Sequence, residues 1–416
     1  MVLPKRNGLI AALDIGTSKV ACMIAYSNSL GNIEVVGVDY QLSQGIKAGV
    51  ITDVKLAEKS ILSTLNTAEK MAEENIERVI VSMSSSKISS KVANGTMIIA
   101  GNQVTDKDIN RVVTSAVNTI LTPDQEVIHC FPLEYSIDGV SGIKDPRAMY
   151  GSELKSELHV VTLPSTAIVN LANCLARCQL DLDNFIISTY ASALGCLTDE
   201  EKEQGVIIFD MGASNTSFAT YYDGKLIFAD SVPVGGMHIT SDIAYGLSIN
   251  FSTAERIKTL HGNAIITLSD RTSNIDLNNL LDEGHEIEGR TVTRALLGEI
   301  ISARVEEIYE LTKTKLNKAG IDKYLVKRLV LTGGASQLMG LKEFTEGYFA
   351  KQVRIGYPDL LEGLSSEYRN PTFSSVIGIL KFISSEQAKN KYSPNNNASN
   401  KTSIFSKLYK WFNEHF

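Results

Sequence analysis

Tryptophan is almost missing from this chain of 416 residues: Trp411, near the end, stands alone. Cysteine is sparse and odd in number, with Cys22, Cys130, Cys174, Cys178 and Cys196 at no regular spacing, which excludes a disulfide framework. No window approaches the roughly 18 consecutive apolar residues of a spanning helix. Basic charge is not in excess. The net charge of −7 excludes the basic face that a nucleic-acid binder needs, so no nucleic-acid partner is expected. The opening MVLPKRNGLI shows no leader-like apolar core, and a reducing cytoplasm is the expected compartment. What is there, 44% hydrophobic and 21% charged residues, describes an ordinary soluble globular protein long enough for two or more cores.

Two stretches share one design. Gly205–Tyr222 (GVIIFDMGASNTSFATYY) is an apolar run ending in Asp210, a turn through Gly212, Ala213, Ser214 and Asn215, and a returning strand. Leu9–Ala25 (LIAALDIGTSKVACMIA) repeats it with Asp14, Gly16, Thr17, Ser18 and Lys19. A repeat 196 residues apart predicts two similar α/β halves facing each other.

Between these hairpins, strands predicted at Ile33–Tyr40 and Arg78–Met83 flank a helix over about Val54–Glu74. From Ser84 the texture changes. Lys91–Gly101 reads as a strand pair turning at Gly95, Thr105–Asp108 as a helix cap, and Val127–Ile137 as a strand interrupted by Pro132. Residues 84–163 therefore read as a small α+β domain inserted into the first half. Ser165–Leu180 and Ala191–Glu203 read as helices. Cys174 and Cys178, four apart on the former, fit a buried apolar face better than a metal site, since no His or acid completes a ligand set. His129 and His159 fit satisfied core positions. Beyond the second hairpin, Asp230–Gly236 reads as a strand ending in Gly235 and Gly236, followed by a helix over His238–Leu247. A further helix, Ser252–Gly262, is expected to open on a Ser-Thr cap, with Glu255 and Lys258 pointing the same way. A long charged helix spans about Thr293–Ala319. Val326–Gln337 delivers Gly333, Gly334, Ala335 and Gln337 from a strand to a helix start, and Tyr368–Phe382 is a last apolar helix.

Glycine turns offer backbone amides to anions, and Thr17, Ser18, Ser214 and Thr216 add hydroxyl donors. Two opposed turns could hold a triphosphate. Asp14 and Asp210 could then orient the water shell of Mg²⁺, which keeps several waters and uses few carboxylates. The Gly333–Gly334 turn would approach an adenosine, with Glu255 and Lys258 near the ribose or base. A lone D-x-G-x-[ST] is more often an ordinary hairpin, and Glu255–Lys258 alone suits a solvated helix pair. Their combined order carries the reading.

That order, DIGTSKV, DMGASNTSF, LTGGASQ, resembles the phosphate-1, phosphate-2 and adenosine motifs of the actin-like ATPase superfamily. VIHCFPLEYSIDG, GIKDPRAMYG, VPVGGMHITSDIAYGL and AERIKTLHGNA resemble the bacterial cell-division FtsA family, over nearly the full length. The resemblance implies an actin-like fold divided into subdomain 1A (residues 1–83, 164–204 and 358–383), inserted subdomain 1C (84–163), subdomain 2A (205–245 and 325–357) and subdomain 2B (246–324). It also implies bound ATP with Mg²⁺, self-polymerisation, and tethering of FtsZ, by the 2B surface, to the inner face of the cytoplasmic membrane at the division site. Recruitment of other division proteins is implied as well. Ser188-Thr189 stand where Glu-Pro is usual in the family, and Ala213 where glycine is usual, so weak or absent ATP hydrolysis is expected. A PilM-like pilus-assembly protein and an actin-fold small-molecule kinase are the alternatives, the latter lacking any candidate base.

Residues 384–403 are polar and asparagine-rich and read as a disordered linker, reaching on the order of 25 Å. In residues 404–416, Ile404, Phe405, Leu408, Trp411 and Phe412 share one helical face, while Lys407 and Lys410 lie on the other. From Ser384 onward the chain carries net +3, leaving −10 on the body. A helix docked back on the core is the plain alternative. The aromatic-plus-lysine pattern and the charge split favour an amphipathic helix on an anionic membrane surface.

Overall fold

A computed structural model describes residues 8–28, 32–277, 291–321 and 326–390, with side chains to residue 385. The chain opens on three antiparallel strands, β1 (Leu9–Ile15), β2 (Lys19–Ser27) and β3 (Ile33–Leu42). A two-rung ladder follows, β4 (Ile46–Lys47) with β5 (Val50–Ile51). Helix α1 (Val54–Ala72) starts where the Asp53 carboxylate accepts from the Lys55 and Leu56 amides at 3.0 and 3.1 Å. Then comes β6 (Arg78–Met83), parallel to β1.

The inserted unit comprises β7 (Ser89–Ile98), α2 (Asp106–Asn118), β8 (Gln125–Ile137), β9 (Val140–Ile143) and β10 (Glu153–Pro164). Its sheet runs β7-β10-β8-β9, with α2 against one face and its own core. Gly95 does not turn the chain, contrary to the expected strand pair. It lies inside the single strand β7, where a Cβ would come within 2.3 Å of the Val112 carbonyl, so glycine lets α2 lie close. Pro132 does not end β8; it sits at a bulge, where Glu157 faces Glu134 and Leu158 faces Pro132.

Returning to the first half, α3 (Ser165–Arg177) buries Cys174, with Cys178 just beyond it, in the core, and β11 (Asp181–Ile187) completes a sheet β11-β6-β1-β2-β3. This strand was not expected, because DLDNFII is polar over its first half. The single helix expected at Ala191–Glu203 is two, α4 (Ser188–Cys196) and α5 (Asp199–Gln204). Thr198 breaks it by capping: its hydroxyl takes the Glu201 amide at 3.2 Å while Glu201 takes the Thr198 amide at 3.0 Å.

The second half repeats the first. Strands β12 (Val206–Met211), β13 (Thr216–Tyr222) and β14 (Lys225–Val232) form an antiparallel set. Then come α6 (Gly236–Gly246), α7 (Phe251–His261), a short ladder of β15 (Asn274–Asp276) with β16 (Thr291–Thr293), and α8 (Arg294–Lys318). The cap of α7 is Asn250, one residue before the helix, whose side chain accepts from the Thr253 amide at 2.7 Å; the expected Ser-Thr cap lies inside the helix. Strand β17 (Arg328–Thr332), a 3-10 turn at Gly334–Gln337 in place of the expected helix start, α9 (Leu341–Phe349) and β18 (Gln352–Ile355) finish this half. Its sheet runs β14-β13-β12-β17-β18, the order of the first sheet with β12 in the place of β1.

Helix α10 (Ser374–Asn390) returns to the first half. It runs past Ser384, which is buried and hydrogen-bonded to Ser27 at 3.0 Å, so the start of the stretch read as linker is helical. The remaining linker and the amphipathic segment 404–416 lie outside the described residues. Both central sheets are covered on both faces, which explains why β1 and β12 read as unbroken apolar runs. The first core continues into the second half through Val206, Ile208, Ala219 and Val330.

α10 crosses α4 with the backbones in contact. A Cβ on Gly378 would lie 1.7 Å from the Ala191 carbonyl, and one on Gly195 would lie 2.2 Å from the Ser374 carbonyl. Gly378→Ala is expected to cost about 3 kcal/mol or more in urea unfolding. Gly347→Ala, in α9 with open space around it, should gain about 0.5–1 kcal/mol. Equal effects would contradict the tight crossing.

Candidate functional site

Each half presents the same turn at the same strand end. The Gly16 amide donates to the Lys19 carbonyl at 2.9 Å, and the Gly212 amide donates to the Asn215 carbonyl at 3.0 Å. A Cβ on either glycine would crowd that same carbonyl, at 3.0 and 3.1 Å. The acid preceding each turn is the next-to-last residue of its strand, Asp14 in β1 and Asp210 in β12. The turns face each other and touch: Thr17 Oγ1 and Ser214 Oγ lie 2.7 Å apart.

Behind that contact the charges converge. Lys19 interacts electrostatically with both Asp14 and Asp210. Burial pulls its ammonium down to about 8 against the pull of the two acids. Burial, and then the Asp14 charge, push Asp210 up to about 6, and burial raises Asp14 as well. By surface area all three keep a small face open to solvent, so protein surrounds these groups without sealing them. Lys19 Nζ also donates to the Thr372 carbonyl and sits 4.2 Å above the centre of the Phe373 ring.

Hydroxyls hold the carboxylates. Asp14 Oδ1 accepts from Ser82 at 2.5 Å and Ser375 at 3.1 Å, and Asp210 Oδ2 accepts from Ser192 at 3.0 Å. Ser188 adds a hydroxyl beside Asp210, and with Thr189 it opens α4 directly after β11.

The remaining expected residues fall around this centre. Gly333 adopts φ +82°, and a Cβ there would meet Asp210 Oδ1 at 2.5 Å. A Cβ on Gly334 would make ordinary contact with Thr372 Oγ1 at 3.7 Å, and Ala335 packs over Gly236. The Gly236 amide donates to the Gly212 carbonyl at 2.9 Å and the Met237 amide to the Ala213 carbonyl at 2.7 Å. The Gly235 amide is taken by His238 Nδ1 at 3.1 Å. Gly235 and Gly236 thus strap the second turn to α6. Lys258 Nζ donates to Glu255 at 2.7 Å, Thr240 at 2.8 Å and the Gly236 carbonyl at 3.2 Å, so the pair joins the site and is not merely a solvated one. Gln337 Nε2 donates to Thr372 Oγ1 at 2.9 Å. Ser18 lies in the first turn, where its carbonyl accepts from the Ser43 amide at 3.0 Å.

Ser82, Ser192, Thr240, Thr372 and Ser375 were not expected. Only the repeat itself could have pointed to one of them: Ser82 faces Asp14 across β6, as Thr332 faces Asp210 across β17.

The residues present suit a polyphosphate with a hydrated divalent cation. Asn215 is buried with both side-chain polar atoms unpartnered, and so is the Ser217 hydroxyl opposite Asp210. Leaving such groups unpaired costs about 1–3 kcal/mol each, which a polar ligand or water relieves. Among the described residues no cluster of three or more His, Cys, Asp or Glu could hold a metal unaided. Two carboxylates beside phosphate oxygens and water are the set that Mg²⁺ uses.

A family model for cell division protein FtsA matches residues 207–378, and one for the SHS2 domain inserted in FtsA matches 85–162, between β6 and α3. Cell division protein FtsA of Rhizobium meliloti (strain 1021) is 37% identical over 386 residues, 90% of this chain and 87% of the relative. The chain belongs to the FtsA family. It is 35% identical to the FtsA of Agrobacterium fabrum, with the same coverage. FtsA proteins are cell-division proteins, and the fold of this one is actin-like. The solved PilM–PilN type IV pilus biogenesis complex is similar at TM-score 0.64, with 15% identity over 90% of this chain and 98% of that one. MreB5 of Spiroplasma citri bound to AMPPNP is similar at TM-score 0.53, with 15% identity over 93% and 98%. At such identity these structures show the fold alone. The pilus-assembly and kinase alternatives yield to the FtsA assignment.

A carboxyl raised in the folded state binds its proton more tightly there than in the unfolded chain. The Asp210 contribution is therefore fully present below about pH 4 and lost as pH rises through about 6. Asp210→Asn should stabilise the nucleotide-free protein above pH 7 by up to about 3 kcal/mol and change it little near pH 4. Urea midpoints across pH check this; a pH-independent effect would count against a desolvated carboxylate.

Proposed function

We propose that this FtsA-family chain binds ATP with Mg²⁺ between its two halves. It then assembles with itself into actin-like filaments and tethers the FtsZ ring to the inner face of the cytoplasmic membrane, where later division proteins join. The observation that carries the nucleotide reading is the meeting of the two turns at Thr17 and Ser214, with Asp14, Lys19 and Asp210 converging behind them.

Thr17, Ser18 and Ser214 offer hydroxyls, and Lys19 a cation, to the phosphates. Asp14 and Asp210 orient the cation's water shell, and a bound Mg²⁺ would neutralise phosphate charge. Glu255, Lys258, Gly333 and Gly334 line the approach to ribose and base. Ser188 and Thr189 leave this stretch without an acid to position a water, which supports slow turnover or none. Titration with a fluorescent ATP analogue in Mg²⁺ should show saturable binding that Lys19→Ala weakens at least about tenfold. Phosphate release should stay near that of Asp210→Ala. Absence of binding by the intact chain would end the nucleotide reading.

Membrane attachment is proposed for Ile404, Phe405, Lys407, Leu408, Lys410, Trp411 and Phe412. One bulky side chain contributes at most about 1.5–3 kcal/mol on burial, so a single tail binds reversibly. Many tails along one filament bind firmly through effective concentration. Intact protein should sediment with anionic vesicles and Trp411→Glu protein should stay in solution; co-sedimentation of both would rule the tail out as the anchor.

A further inference from the structure

Helix α10 starts at the nucleotide cleft and ends near the point where the chain leaves the described body. Its first two residues are serines, and neither turns its hydroxyl only to its own helix or to water, as first-turn serines commonly do. Ser374 Oγ lies 2.7 Å from Thr332 Oγ1, and Thr332 faces Asp210 across β12 and β17. Ser375 Oγ lies 2.7 Å from Ser82 Oγ, and Ser82 faces Asp14 across β1 and β6. Thr332 and Ser82 are equivalent positions of the two repeated sheets. One turn of helix therefore touches both half-sites at matching places. Ser374 and Ser375 are both buried, so water does not replace these contacts.

The proton count on the Asp14 side sets a direction. Two hydroxyl protons serve three close contacts: Ser82 to Asp14 at 2.5 Å, Ser82 to Ser375 at 2.7 Å, and Ser375 to Asp14 at 3.1 Å. An ionised Asp14 fits best when Ser375 donates to Ser82 and Ser82 donates to Asp14, with the long contact secondary. Asp14 Oδ1 is then fixed, and Oδ2 takes part in none of these three contacts.

We propose that Ser375 is a positioning residue of the nucleotide site, acting through Ser82 to aim Asp14 at the hydrated cation. The cation-dependent grip on nucleotide thereby depends on where the first turn of α10 sits. The inference rests on the nucleotide reading above. It adds that the helix leading to the C-terminal segment is a working part of the cleft. By reciprocity, nucleotide with cation must then tighten the start of α10 by as much as α10 tightens the nucleotide.

The test uses the full chain and a fluorescent ATP analogue, titrated in Mg²⁺ and again in EDTA. Ser375→Ala should lose about tenfold in affinity in Mg²⁺ and little in EDTA. Ser82→Ala should lose at least as much, and the double variant no more than Ser82→Ala alone, because the two hydroxyls act in series. Hydrogen exchange over residues 376–385 should slow when the analogue and Mg²⁺ bind wild-type protein, and slow less in Ser375→Ala. Equal losses with and without Mg²⁺, no loss, or additive losses in the double variant would overturn the proposal while leaving ATP binding standing. Should Ser375→Ala not fold, Ser82→Ala and the wild-type exchange measurement decide the question. Wild-type protein that binds no analogue in either buffer would remove the nucleotide reading, and this inference with it.

Discussion

Asp14 and Asp210 repel each other, and Lys19 is drawn to both. This three-charge balance governs the rest of the structure. Two buried anions against one cation leave an excess of negative charge that a protein interior tolerates poorly. The fold answers with hydroxyls from three elements: Ser82 of β6, Ser188 and Ser192 of α4, and Ser375 of α10. It also leaves Asp14, Lys19 and Asp210 each with a small face open to solvent.

The geometry that brings the acids together comes from a repeat. Each half places a hairpin beside a parallel strand, and in both the acid faces a hydroxyl-bearing residue on that strand, Ser82 or Thr332. Within the first half, α10 is then held against α4 by glycines at which one helix backbone rests on the other, Gly195 on Ser374 and Gly378 on Ala191. Side chains at that crossing would separate α4 from α10 and carry Ser375 away from Asp14. Packing at one end of α10 and electrostatics in the cleft are one constraint seen from two sides.

Much of this could be read from the sequence. The hairpins announced themselves because a glycine turn after an acid-terminated apolar run leaves few other interpretations. Glu255 and Lys258 were legible because helical spacing puts them on one side. Gly95 was misread because a glycine that admits a neighbouring helix looks like a glycine that turns a chain. β11 was hidden because its first half is polar, and the break at Thr198 because a cap inside a helix-like run changes no periodicity. The serines were least legible of all. Ser375 acts on a residue 361 positions away, and no local pattern tells a serine that reaches a carboxylate from one that faces water.

The inserted unit is fastened to the second half as well as to the first. Ser231 Oγ donates to the Ser85 carbonyl at 2.7 Å, and the Ala229 amide donates to Ser90 Oγ at 3.3 Å, joining β14 to the start of the insertion. The two halves are thus pinned on the insertion side of the molecule. A swing between them must therefore carry the insertion along with the second half or break these two hydrogen bonds.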